Sequence, residues 1–141
     1  MGKKQETTRR RALLAFAGLA GLPVIAETGK LPNSTMNPDK ATITKEDFGE
    51  LRVYFDGPTD QLTAMTAGSL RLKPGMQPHP PHQHPEEEMM VIAEGTGEIV
   101  VEGRKSRVGP GSMMYCAADR LHGIVNTGKT PLLFYYYKWK A

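Results

Sequence analysis

Glycine and proline interrupt this chain too often for a bundle of helices. There are 15 glycines and 11 prolines in 141 residues, and each weakens or breaks a helix when it falls inside one. From Leu51 onward they form turn signals: Asp56-Gly57-Pro58, Lys73-Pro74-Gly75, Glu94-Gly95-Thr96-Gly97, Glu102-Gly103, Gly109-Pro110-Gly111 and Asn126-Thr127-Gly128. The strand-length apolar runs between them predict strands near 50–55, 62–73, 87–93, 97–102, 105–108, 112–116, 121–126 and 131–139. Glu102-Gly103, flanked by Ile99-Val100-Val101 and Arg107-Val108, is the clearest tight hairpin. So many short strands in one flat sheet would leave long edges exposed, so the expected fold class is all-β, a closed barrel or jelly roll.

The length predicts a single domain. Cys116 is the only cysteine, which excludes an internal disulfide and a cysteine-rich zinc module. Stability must then come from a core or a bound metal, and Cys116 reads as a small buried side chain. The net charge of +3 comes from the N-terminus, where Lys3, Lys4, Arg9, Arg10 and Arg11 face only Glu6. After residue 26 there are 13 Lys and Arg against 14 Asp and Glu, which gives no case for a nucleic-acid partner.

Residues 1–26 have the layout of an export signal: a cationic start, an apolar stretch from Ala12 to Ile25, and a small residue, Ala26, after which cleavage is expected. The stretch is shorter than the roughly 20 residues a spanning helix needs, so no membrane association is expected after cleavage. A buried amphipathic helix fits poorly, because the stretch is apolar on all sides. Arg10-Arg11-Ala12-Leu13-Leu14 resembles the twin-arginine signal, which implies export of folded protein to the periplasm or exterior, with metal loaded beforehand in the cytosol. Residues 27–47 read as a linker and N-terminal arm. They leave no room for a helix-turn-helix, which argues against a transcription regulator. The barrel domain is expected over 48–141.

Three of the four histidines, His79, His82 and His84, fall close together, and the fourth is His122. On a strand, His82, His84 and Glu88 would share one face, with Met90 and Ile92 continuing it inward and Glu87 turned away. Burying two imidazoles and a carboxylate beside apolar residues is costly unless they are paired or coordinated, and a divalent cation removes that cost.

Gly75 to Gly95, with His82-Gln83-His84 followed by Glu88 and then Gly95, resembles the first motif of the cupin superfamily. Gly111 to Asn126, with His122 and Asn126, is similar to the second. Gly75 lies one residue further from the first histidine than the family pattern has it, Ala117 stands where proline is usual, and Asp119 stands where glycine is usual. The glycine position normally makes a left-handed turn, which Asp tolerates better than most residues. The resemblance implies a single-domain cupin jelly-roll barrel. It also implies that His82, His84, Glu88 and His122 ligate one divalent transition metal (Fe, Mn, Ni or Zn), with Mn or Fe favoured by the carboxylate among imidazoles.

Other residues carry less. His79, in the proline-stiffened segment Met76 to Pro81, is a candidate catalytic base leaning over the pocket. Met90, Ile92, Met113, Tyr115 and Ile124 read as core, with an apolar cavity lining as the alternative. Phe134-Tyr135-Tyr136-Tyr137 with Trp139 reads as a closing strand covered on both faces, where a homodimer contact is possible. The function expected is a metal-dependent enzyme on a small oxygen-rich molecule, of dioxygenase, decarboxylase, lyase or isomerase type. The alternative is a non-catalytic periplasmic module binding a small ligand or metal.

Overall fold

Alternation of inward apolar and outward polar residues organises the domain into two facing antiparallel sheets. The computed structural model describes residues 29–141, so the export signal expected over 1–26 lies outside the described residues. One 3-10 turn, Pro38–Lys40, precedes nine strands: β1 (Thr42–Glu46), β2 (Gly49–Gly57), β3 (Ala64–Leu72), β4 (Glu87–Glu94), β5 (Gly97–Val101), β6 (Arg104–Val108), β7 (Met113–Cys116), β8 (His122–Val125) and β9 (Leu132–Lys140). The larger sheet runs β1-β2-β3-β9-β4-β7 and the smaller β6-β5-β8. Leu51, Leu70, Leu72, Met90, Ile92, Ile99, Met114, Ile124, Leu132, Phe134 and Tyr136 fill the space between them.

All eight expected strands are present, and β1 is a ninth. The arm at 27–47 is therefore not all linker: Thr42 to Glu46 pairs with β2 from Thr42↔Val53 to Glu46↔Gly49. The strand buries none of its residues, so its sequence lacks the apolar alternation that marks a strand. The hairpin between β5 and β6 is as expected, with Glu102 at φ 48° and Gly103 at φ 79°, the two positive angles of a type I′ turn.

Two expectations change with the register. β9 is not a closing strand but the centre of the larger sheet, between β3 and β4. Leu132, Phe134 and Tyr136 face the core while Tyr137 is 42% exposed, so the aromatic run covers one face rather than two. Met113 and Tyr115 are not core, at 62% and 55% exposed, because β7 turns Met114 and Cys116 inward instead; they border an open surface groove with Ile99 and Val101.

Asn126, fully buried, closes the end of β8. Its side-chain nitrogen donates to the Leu72 carbonyl at 3.0 Å and the Thr130 carbonyl at 2.9 Å, and its oxygen accepts from Gly128 N–H at 2.9 Å. The segment after β3 runs back along β8: Gly75 N–H donates to Asn126 O at 2.8 Å, Asn126 N–H to Met76 O at 2.9 Å, and His82 and His122 exchange two backbone bonds. Gly123 permits this approach, since a Cβ there would lie 3.1 Å from Pro81 Cα.

Candidate metal centre

The four expected ligands meet, but not all by the expected route. Of the three residues expected on one strand, only Glu88 stands there beside its apolar companions: Glu88, Met90 and Ile92 face inward along β4. His82 and His84 precede that strand, in a stretch broken by Pro85, so strand parity does not align them. His82 is placed by its bridge to His122, with N–H to carbonyl bonds of 2.9 and 2.8 Å. His84 is anchored through its carbonyl, which accepts from Asp119 N–H at 2.8 Å. Asp119 sits at φ 58°, so it makes the left-handed turn expected at that position.

One potential ligand atom from each of His82, His84, Glu88 and His122 lies within 4.8 Å of the other three. The rings of His82, His84 and His122 stand edge to face, with centroids 4.9 to 5.2 Å apart. Glu88 and His122 are 5% and 1% exposed. Donors at about 2.0–2.2 Å from one ion stand at most about 4.4 Å apart, so the cluster is already close to ligating dimensions.

The hydrogen bonds test whether a cation fits. Nδ1 of His84 lies 3.0 Å from the Glu86 carbonyl and Nδ1 of His122 lies 2.9 Å from the Arg120 carbonyl. A carbonyl only accepts, so both Nδ1 atoms carry hydrogen. Both Nε2 atoms then point at the same acceptor, Glu88 Oε2, from 2.9 and 2.8 Å. Either each ring is doubly protonated around one carboxylate, or the Nε2 lone pairs and the carboxylate share a cation. The second arrangement satisfies all three groups without two buried imidazoliums, so the donor set fits a divalent ion.

Charge in the metal-free site follows the same contacts. Burial works against ionised Glu88, yet hydrogen bonds from His122 and His84 outweigh it and hold the carboxyl down at about 2. Burial also opposes protonation of His122, but Glu88 and the Arg120 carbonyl together raise it above its ordinary value. His82 is pushed down to about 4 by burial and then by the neighbouring imidazoles. Glu88 favours the protonated form of both rings, but only His122 hydrogen-bonds to it, so burial and the other imidazoles prevail at His82.

His82, Glu88 and His122 open into a cavity of about 50 Å³ lined also by Leu70, Met90, Ile124 and Phe134. Met90 and Ile124 therefore line the pocket, whereas Ile92 lies in the core behind it. His79 belongs to the pocket wall, its ring stacked on His82 with centroids 3.7 Å apart and its Nδ1 2.9 Å from the Pro80 carbonyl. Burial lowers its pKa. Glu87 faces outward as expected, accepting from Tyr115 O–H and, at 2.8 Å, from Trp139 Nε1–H. Cys116 is buried, and burial raises its thiol pKa. The sequence reading missed Tyr136 and Lys138 as pocket residues. The period-two alternation Leu132, Phe134, Tyr136, Lys138 was the available signal.

The Cupin domain family matches residues 68–137, a span holding all four candidate ligands. The match and the fold support the cupin superfamily. Among solved cupin-fold structures, KdgF from a Halomonas species superposes with a TM-score of 0.64 at 19% identity, covering 78% of this chain and 96% of that one. A predicted oxalate decarboxylase from Thermotoga maritima gives 0.62 at 19%, covering 77% and 100%. The polyketide cyclase RemF from Streptomyces resistomycificus gives 0.62 at 20%, covering 77% and 80%. No curated protein matches the sequence. At these identities the structural neighbours establish the cupin jelly roll, and the donor cluster suggests a metal site within it.

Proposed function

We propose that this cupin is a metal-dependent enzyme acting on a small oxygen-rich molecule, by dioxygenase-, decarboxylase-, lyase- or isomerase-type chemistry. The observation that carries the reading is the convergence of four donors, three of which, His82, Glu88 and His122, line a pocket that remains open to solvent. His82, His84, Glu88 and His122 would hold one divalent ion, Mn or Fe ahead of Ni or Zn. Such an ion supplies Lewis acidity toward substrate oxygens and acidifies bound water.

The chain's own residues supply orientation and exclusion. The Glu86 and Arg120 carbonyls fix the His84 and His122 rings through Nδ1. Leu70, Met90, Ile124 and Phe134 give the substrate body an apolar wall that excludes water. His79, kept neutral by burial and held against His82, is the proposed proton carrier at the mouth. The decarboxylase and cyclase names among the fold's neighbours support a catalytic reading. We also propose export to the periplasm or exterior, supported by the twin-arginine-like pattern at Arg10-Arg11.

Metal analysis of the purified protein, followed by a screen of oxygen-rich compounds with and without chelator, tests this. Turnover abolished by chelator and restored by metal is the expected result. One tightly held ion per chain with no turnover on any compound would identify a binding protein instead.

A further inference from the structure

The strand register brings a cation to the mouth of this pocket, in a row of side chains on one face of the larger sheet. Across β2, β3, β9, β4 and β7 the partners run Asp56↔Thr66, Thr66↔Lys138, Lys138↔Glu88 and Glu88↔Cys116. Directly paired residues share a face, so Lys138 lies on the inner face beside Glu88, one alternation beyond Tyr136. It lines the same cavity as His79, His82, Glu88 and His122, and its charge works against protonation of His122. Glu88 Oε2 is taken by His84 and His122, and Asp56 accepts from Thr66 Oγ1 at 2.9 Å. Among the described residues no carboxylate lies within ion-pair distance of Lys138.

We propose that Lys138 is the anion-binding residue of this pocket and that the substrate is a short carboxylic acid with a second oxygen function. Lys138 holds the carboxylate, and the second function faces the four-donor cluster. The inference deepens the metal-enzyme reading and rests on it for the second function alone. Three neutral imidazoles and one carboxylate leave a divalent ion with a net charge of about +1, and the Lys138 ammonium adds another. Two like charges in one partly buried pocket repel until an anion enters between them. Leu70, Met90, Ile124 and Phe134 require the part joining the two oxygen functions to be hydrocarbon. The 50 Å³ cavity keeps that part short, because a water-sized group takes about 10–15 Å³ by the same measure.

The test titrates glycolate, beta-hydroxypropionate and gamma-hydroxybutyrate, each beside its methyl ester, into manganese-loaded protein by calorimetry. Wild type, Lys138→Gln and Lys138→Met are compared, the second variant keeping the length of the side-chain stem. In wild type at least one hydroxy acid is expected to bind about tenfold or more tightly than its ester, the gain of a charge-assisted hydrogen bond. In both variants that gap closes to within about twofold, while elemental analysis finds unchanged metal content. A gap that survives both substitutions, or no gap in wild type for any hydroxy acid, overturns the role of Lys138. Loss of metal from both variants also overturns it, because Lys138 would then be shaping the cluster. If wild type takes up no metal, the metal reading fails by itself. The gap is then read on metal-free protein, where its closing or survival on substitution decides the Lys138 role in the same way.

Discussion

Asn126 is the residue whose removal most directly tests how the fold presents His122. Its amide makes three hydrogen bonds in a site with no solvent exposure: two donated to the Leu72 and Thr130 carbonyls, one accepted from Gly128 N–H. Asn126→Ala removes all three, each contributing about 1 kcal/mol net, and strands buried partners that cost about 1–3 kcal/mol where water cannot replace the amide. A total loss of about 3–5 kcal/mol follows, large against the roughly 5–15 kcal/mol that holds such a domain. Urea unfolding of chelator-treated protein reads it. The companion Asn126→Asp keeps an acceptor for Gly128 but turns an anion toward two carbonyls. Its carboxyl pKa is raised in the folded state, so this variant recovers stability relative to wild type as pH falls from 7 to 5. A loss under about 1 kcal/mol for Asn126→Ala would refute the view that this amide ties β8, and with it His122, to the rest of the barrel.

Further outcomes follow from the same contacts. His84→Ala is expected to lower metal content and melting temperature together, because metal bound only by the folded state stabilises it; unchanged values in elemental analysis and melting would remove His84 from the ligand set. Glu87→Ala should leave metal content unchanged, since Glu87 bonds outward to Tyr115 and Trp139; metal loss there would mean that the register of β4 is wrong. Gly68→Ala should cost about 1–3 kcal/mol, because its Cβ would stand 2.4 Å from the Arg52 carbonyl oxygen and 2.5 Å from the Tyr136 hydroxyl; near-neutral urea unfolding would contradict that. Against the opposing effect of burial, Glu88 and the Arg120 carbonyl raise His122 above 6.5 in metal-free protein. That contribution is complete below pH 6.5 and disappears as pH rises through the folded value, whereas ligation needs a neutral ring and strengthens over the same rise. Melting curves from pH 6.5 to 8 should therefore slope in opposite directions with chelator and with metal, and parallel slopes would count against the assignment.

What the sequence made legible was whatever depends on local chemistry. Turn residues marked the strand ends, Glu102-Gly103 named its own hairpin, and residue types at motif spacing brought forward His82, His84, Glu88 and His122. Strand parity supplied the wrong reason for two of them. Pro85 breaks the stretch before β4, so His82 and His84 are placed by partners distant in the chain, His122 and Asp119. No local pattern contains that information. β1 escaped notice because an exposed edge strand need not alternate. Lys138 and Tyr136 were hidden by reading β9 as a covered run, when its position at the centre of the larger sheet puts Phe134, Tyr136 and Lys138 into the pocket. Met113 and Tyr115 were misplaced by a one-residue choice of parity on β7, the least expensive error to make in a four-residue strand.

The central claim is that His82, His84, Glu88 and His122 hold one ion in common. Anomalous scattering from crystals of protein purified from its native host, collected on both sides of the Mn, Fe, Ni and Zn absorption edges, tests it without any assumption about substrate. The expected result is one peak within about 2.5 Å of a donor atom from each of the four residues. A peak elsewhere, or full-occupancy ligand rings with no peak between them at any edge, would contradict it.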